Sequence, residues 1–223
     1  DMLGNARAMS ETGADVAVIT APGYFSYNHN EVRSIFLDFA EKSPLPVLIY
    51  DIPVFSGMKL DINIVLKLSQ HPNIIGLKDS SSDMGRFKEL VKALGNDGGK
   101  YLLQGKEHLL AESILIGASG IVVSLLHIDP RPFVMLYETA QSGNKEKAIR
   151  IQDEITKVMN LVVESFNKRP ETSTLFHFLN NALRLRGVCD NIILKHEGEC
   201  PEWLLKKSAE AVEICKNAVN LKI

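Results

Sequence analysis

A lysine closing a short apolar run is the residue here best suited to covalent chemistry. In Asn73-Ile-Ile-Gly-Leu-Lys78-Asp-Ser-Ser-Ser-Asp83, a strand pattern ends on Lys78 and gives way to a polar turn. A lysine so placed is expected to have its stem among aliphatic side chains and its amine at the mouth of a pocket, where it could attack a carbonyl. The plainer alternative is a strand-end lysine that snorkels to solvent. A Schiff-base amine needs a proton relay, groups that hold a carboxylate beside the carbonyl, and partners for the rest of the substrate. Tyr50, 28 residues earlier and also at a strand end, suits the relay. Tyr24, Gly105 with Glu107, and Ser124 also stand just beyond strand patterns. Each has an ordinary reading: a structural tyrosine, a first-turn carboxylate favoured by the helix dipole, a polar end to an apolar strand. All of them fall on one rim.

The elements that must carry this rim alternate. Strand patterns are expected at Ala14–Thr20, Val47–Tyr50, Ile74–Lys78, Tyr101–Gln104 and Gly120–Ser124. Helical spacing lies between them, at Glu31–Lys42, Asp61–Gln70 with Asp61 as N-cap, Asp83–Leu94 and His108–Ile116. Amphipathic helices follow at Phe133–Gln141, Lys145–Lys168, Ser173–Arg186 and Glu202–Asn217. Alternating strands and helices imply a parallel sheet, either an open doubly wound sheet or a (β/α)8 barrel. No glycine-rich phosphate loop follows any strand, which favours the barrel, whose functional residues sit beyond the strands' carboxyl ends.

The composition is that of an ordinary globular domain: 223 residues, 45% hydrophobic, 23% charged, net charge -2. That balance argues against a nucleic-acid binder, and no apolar run is long enough to span a bilayer. Cys189, Cys200 and Cys215 lack metal-ligand spacing and read as reduced thiols of a cytoplasmic protein. Residues 1–13 are no signal peptide and read as the second half of a helix ended by Gly13. The chain thus reads as beginning inside a larger domain.

Four segments together carry a resemblance: Tyr50-Asp-Ile-Pro53-Val-Phe-Ser-Gly57, Gly76-Leu-Lys78-Asp-Ser-Ser-Ser-Asp83, Gly105-Lys-Glu107 and Gly117-Ala-Ser-Gly120-Ile-Val-Val-Ser124. In order and spacing the chain resembles the dihydrodipicolinate synthase / N-acetylneuraminate lyase family over nearly its whole length. The resemblance implies a (β/α)8 TIM barrel, a homotetramer, and an imine between lysine and pyruvate or a 2-oxo acid that yields it. No metal or organic cofactor is implied. Lys78 would be the Schiff-base lysine and Tyr50 the proton-shuttling tyrosine. Tyr24 matches a loop tyrosine that in some members reaches a neighbouring subunit's site. Ser80, Gly105, Glu107, His108 and Ser124 match positions that contact the polyhydroxy tail of sugar-acid substrates, and Ile121 one that often lines the pyruvate site.

Departures narrow the substrate. Phe55 stands where the synthases carry an arginine for a second carboxylate, which speaks against a dicarboxylate tail. Residues 50–60, with Lys59, look more like the lyase side, but His108 stands where that branch often has an acid and His127 where an Asn is common. Residues 191–203 match no known specificity group. The family's first three strands and its loop of paired Thr or Ser hydroxyls have no counterpart in this sequence. The expectation is therefore an α/β barrel incomplete at the N-terminus, with strands four to eight present. Residues 1–141 would form the barrel portion and residues 142–223 a three-helix C-terminal extension. About 80 to 90 residues would precede it, by typical barrel size, and this chain alone would have little activity. The expected activity is cleavage of a 2-oxo sugar acid to pyruvate and an aldehyde. The alternatives are a dehydratase or synthase using the same imine, and a non-catalytic barrel that binds 2-oxo acids.

Overall fold

The computed structural model describes residues 1–95, 98–190 and 199–221. They divide into two compact units, Asp1–Val122 and Val123–Ile223.

The first unit runs α1 (Met2–Glu11), β1 (Ala17–Thr20), α2 (His29–Lys42), β2 (Val47–Asp51), α3 (Pro53–Ser56), α4 (Ile62–Ser69), β3 (Ile74–Asp79), α5 (Met84–Leu94), β4 (Tyr101–Gln104), a 3-10 turn (Glu107–Leu109), α6 (Leu110–Leu115) and β5 (Gly120–Ile121). The strands form one all-parallel sheet in the order β1-β2-β3-β4-β5. A doubly wound sheet reverses direction at a switch point, and this sheet does not. Right-handed crossovers that always advance the same way place every connecting helix on one face. That face is buried: Ile49, Leu77 and Leu102 are at most 1% exposed. Strand alternation turns Val18, Thr20, Tyr50, Lys78, Tyr101 and Leu103 to the other face. There Val18 and Tyr101 are 51% and 57% exposed.

Element ends depart from expectation for local reasons. β1 starts at Ala17 because its partner does: the Ala17 N–H donates to the Pro46 carbonyl, at the head of β2. β5 keeps only Gly120–Ile121, and the chain turns into a 3-10 helix at Ser124. α2 starts two residues early because Asn28 and Glu31 form a capping box: Asn28 Oδ1 accepts from the Asn30 and Glu31 N–H groups, and Glu31 accepts from the Asn28 N–H. Asp61 precedes α4 but makes no cap bond, since its carboxylate pairs with His29 Nδ1 at 2.8 Å. Gly13, at φ 88, follows the end of α1 as expected.

The second unit is helical: a 3-10 turn (Ser124–His127), α7 (Arg131–Gln141), α8 (Lys145–Lys168), α9 (Thr172–Leu185) and α10 (Glu202–Val219). Its core is Phe133, Leu136, Ile151, Phe178, Leu204 and Ala211, all at most 1% exposed. Buried Asp129 holds Arg131 through a two-pronged pair and lies 3.7 Å from Arg186. Burial pushes the Asp129 carboxyl up, but the Arg131 hydrogen bonds and the Arg186 charge outweigh it and hold it below the usual range. Among the described residues, no helix is long and apolar enough to cross a membrane.

Candidate active site

Thr20, Tyr50, Lys78, Leu103 and Gly120 are successive register partners across the five strands, so Tyr50 and Lys78 share one face of the sheet. The Lys78 amine lies 4.1 Å from the centroid of the Tyr50 ring. Ring and amine therefore meet instead of pointing apart, as a merely snorkelling lysine would require. Ser80, 5% exposed, is the next residue on that side, and its hydroxyl donates to the Gly105 carbonyl at 3.4 Å. Gly105 leaves the space that both side chains occupy. A Cβ there would stand 2.0 Å from Ser80 Oγ and 3.2 Å from Lys78 Cε. Lys78, Tyr50, Ser80 and Gly105 thus form one cluster at the carboxyl ends of β2, β3 and β4.

The other candidates are less tightly placed. Glu107 opens a 3-10 turn after β4, with exposed His108 beside it. Tyr24 is 90% exposed, its ring edge-on to Phe25 at 4.8 Å. Ser124 belongs to the second unit, where its carbonyl accepts from His127 Nδ1 at 2.8 Å. Ile121 is the register partner of Gln104, which puts its side chain on the helix-covered face, opposite Lys78. Alternation hands the place expected of Ile121 to Val122, which is 43% exposed. Residues 191–198 of the unmatched segment lie outside the described residues.

A network tightens the rim. Lys59 pairs with Asp83 at 2.6 Å, joining the segments after β2 and β3. His29, on α2, reaches Asp61 with one ring nitrogen and the Lys59 carbonyl with the other at 3.2 Å. Asp83 caps α5 through the Arg86 N–H, and that bond together with Lys59 holds its carboxyl below the usual range. Immediately before Asp83, Ser82 sits at φ 65, a left-handed conformation that costs a serine roughly 1 kcal/mol.

Sequence reasoning overlooked the reverse face of this site. Asp51 and Asp79, each one residue past Tyr50 or Lys78, are register partners and 2% exposed. Arg86, 4% exposed, lies 2.8 Å from Asp51 and hydrogen-bonds Asp79. Burial pushes the Asp51 carboxyl up to about 6; Arg86 opposes the shift and Asp79 adds to it. The signal was available: an acid on the helix-facing side of a buried parallel strand demands a counter-charge. Among the described residues, no three His, Cys, Asp or Glu side chains gather as a metal site.

Comparison with known proteins gives this geometry a context. The profile described as the dihydrodipicolinate synthetase family matches residues 3–193. A curated relative, 4-hydroxy-tetrahydrodipicolinate synthase of Methanospirillum hungatei, is 27% identical over 74% of this chain and 56% of its own length. The chain thus spans little more than half the length of that relative. Among solved structures, a Ruminococcus gnavus sialic acid aldolase with its catalytic lysine mutated superposes with a TM-score of 0.85 at 18% identity, over 98% of this chain and 70% of the other. A chloride-inhibited dihydrodipicolinate synthase of Acinetobacter baumannii, complexed with pyruvate, gives 0.79 at 23% identity, over 96% and 70%.

Proposed function

Because the chain belongs to the dihydrodipicolinate synthetase family, we propose that it carries the lysine centre of a class I, pyruvate-linked aldolase acting on a 2-oxo sugar acid. Its five strands are a consecutive arc of a (β/α)8 barrel. The observation that carries the reading is the Lys78 amine 4.1 Å from the Tyr50 ring, on one sheet face at the strands' carboxyl ends. The Lys78 amine adds to the substrate ketone, and Tyr50 relays the protons that turn the carbinolamine into an iminium and water. The C4 hydroxyl gives up its proton, and the iminium accepts the electron pair of the breaking C3–C4 bond. An aldehyde departs and an enamine remains, which takes up a proton and is hydrolysed to pyruvate and free lysine. Ser80, Gly105, Glu107, His108 and Ser124 serve the polyhydroxy tail, and Val122 takes the place at the pyruvate wall expected of Ile121. Tyr24 serves a neighbouring subunit of a homotetramer in the cytoplasm.

A synthase is the second reading, favoured by the name of the curated relative. Phe55, 77% exposed, offers no cation to a second carboxylate, and Lys59 is already committed to Asp83. Supplying the pyruvate enamine with a polyhydroxy aldehyde or a carboxylate-bearing aldehyde separates the two readings. The shared step is tested by borohydride reduction of the full-length protein with pyruvate, followed by peptide mass spectrometry. A reduced adduct on Lys78, absent in Lys78→Ala and formed roughly 100-fold more slowly in Tyr50→Phe, is expected. An unmodified Lys78 would sink both readings.

A further inference from the structure

We propose that Arg86 is a positioning residue: from the helix side of the sheet it bolts Asp51 to Asp79 and thereby holds the Lys78 amine against the Tyr50 ring. The inference rests on the aldolase reading for its kinetic consequence but not for its geometry. Asp51 and Asp79 directly follow Tyr50 and Lys78, so each pair shares a peptide unit and points to opposite faces. Neighbouring strands lie about 4.8 Å apart. Two buried carboxylates at that spacing repel unless a cation lies between them. Arg86 supplies it, one nitrogen 2.8 Å from Asp51 Oδ2 and the other on Asp79 Oδ2.

Beyond the two acids, Arg86 has a long 3.5 Å bond to the Ser81 hydroxyl, and its Nε makes no hydrogen bond. Arg86 lies in the first turn of α5, where the helix dipole disfavours a cation, and it is 4% exposed. The remaining bonds of the acids complete the clamp. Asp79 Oδ1 accepts the Ser81 N–H at 2.6 Å, and Asp51 accepts the Leu60 N–H at 3.4 Å. The backbone repeats the tie, with the Ser80 N–H donating to the Asp51 carbonyl and the Gly105 N–H to the Asp79 carbonyl, both at 2.8 Å. The two strand ends that present tyrosine and lysine are therefore locked from behind by a side chain that touches neither.

The test compares Arg86→Met, Arg86→Lys and the uncharged triple variant Asp51→Asn/Asp79→Asn/Arg86→Met in the full-length protein. Folding is checked by thermal melting. The first readout needs no activity: the upfield ring-current shift that Tyr50 imposes on the Lys78 ε-methylene, seen by NMR with 13C-labelled lysine. The second is the rate of imine trapping with pyruvate. In a folded Arg86→Met chain the ring-current shift is expected to collapse and trapping to slow about 100-fold, as an ångström-scale misplacement does, with KM for pyruvate within threefold. Arg86→Lys, which keeps the charge, should restore trapping to within about tenfold of the parent. The triple variant removes the buried charges and serves where Arg86→Met does not fold; it too should lose the shift. A folded Arg86→Met or triple variant that keeps both the shift and the trapping rate overturns the proposal. A full-length parent protein that shows the shift yet traps no pyruvate refutes the aldolase reading, and the NMR arm then decides the role of Arg86.

Discussion

At the scale of single residues, the amine depends on an absence of bulk. Gly105 has only its backbone to offer the substrate tail, yet its missing Cβ is what lets Ser80 Oγ and Lys78 Cε occupy their places. Gly105→Ala drives a methyl group to 2.0 Å from Ser80 Oγ, so the hydroxyl must leave its bond to the Gly105 carbonyl and the lysine stem must shift. We expect kcat/KM to fall roughly 100-fold with the fold intact, as misplacement by about an ångström does. Adding Ser80→Ala removes the worst clash and should recover part of the loss. Steady-state kinetics of the two variants in the full-length protein, with melting temperatures alongside, decide the point. An unimpaired Gly105→Ala enzyme would show that the cluster tolerates movement.

At the scale of elements, β2, β3 and α5 are joined by the Asp51–Arg86–Asp79 cluster, and this leaves a signature in stability. The Asp51 carboxyl is raised from 3.8 to about 6, so the folded chain binds that proton more tightly than the unfolded chain. Its contribution to stability is fully present below about 4 and is lost as pH rises through about 6. Asp83 and Asp129, both held low, contribute in the opposite sense, gaining as pH rises. They are common to parent and variant, so the difference between the parent and Asp51→Asn isolates the one group. Urea unfolding from pH 4 to 7 should show the parent losing stability relative to Asp51→Asn over that window. A difference that stays flat with pH would contradict the raised Asp51.

At the scale of the whole molecule, the first unit leaves large apolar side chains uncovered beside the site. Tyr24 and Phe25, after β1, are 90% and 65% exposed; Val54 and Phe55, after β2, are 73% and 77% exposed. The two loops touch, since a Cβ on Gly23 would stand 2.7 Å from the Phe55 carbonyl oxygen. A contiguous aromatic and aliphatic patch of this kind is a site of association in water. It supports the homotetramer reading, in which Tyr24 serves a neighbouring subunit. Phe25→Ser combined with Phe55→Ser should lower the assembly mass seen by analytical ultracentrifugation. An unchanged mass would place the subunit contact elsewhere.

Much of this was legible in order along the chain. Residues 145–168 form the helix that their spacing predicts, and Tyr101–Gln104 the strand, because helix and strand periodicities are local properties of the chain. Lys78 at a strand end, Tyr50 one βα unit before it and the motifs around them were likewise determined by sequence alone. Pairing was not. The strand order that replaced the doubly wound alternative, and the register that sets Ile121 behind the sheet and Val122 before it, depend on which distant residues meet. For the same reason the spacing placed Asp61 at the N-cap of α4 but not its carboxylate, which pairs with His29, 32 positions earlier. Asp51, Asp79 and Arg86 carry no motif either. Their charges become one unit only once two strands and a helix bury them together, since a buried acid is tolerable only where folding brings it a counter-charge.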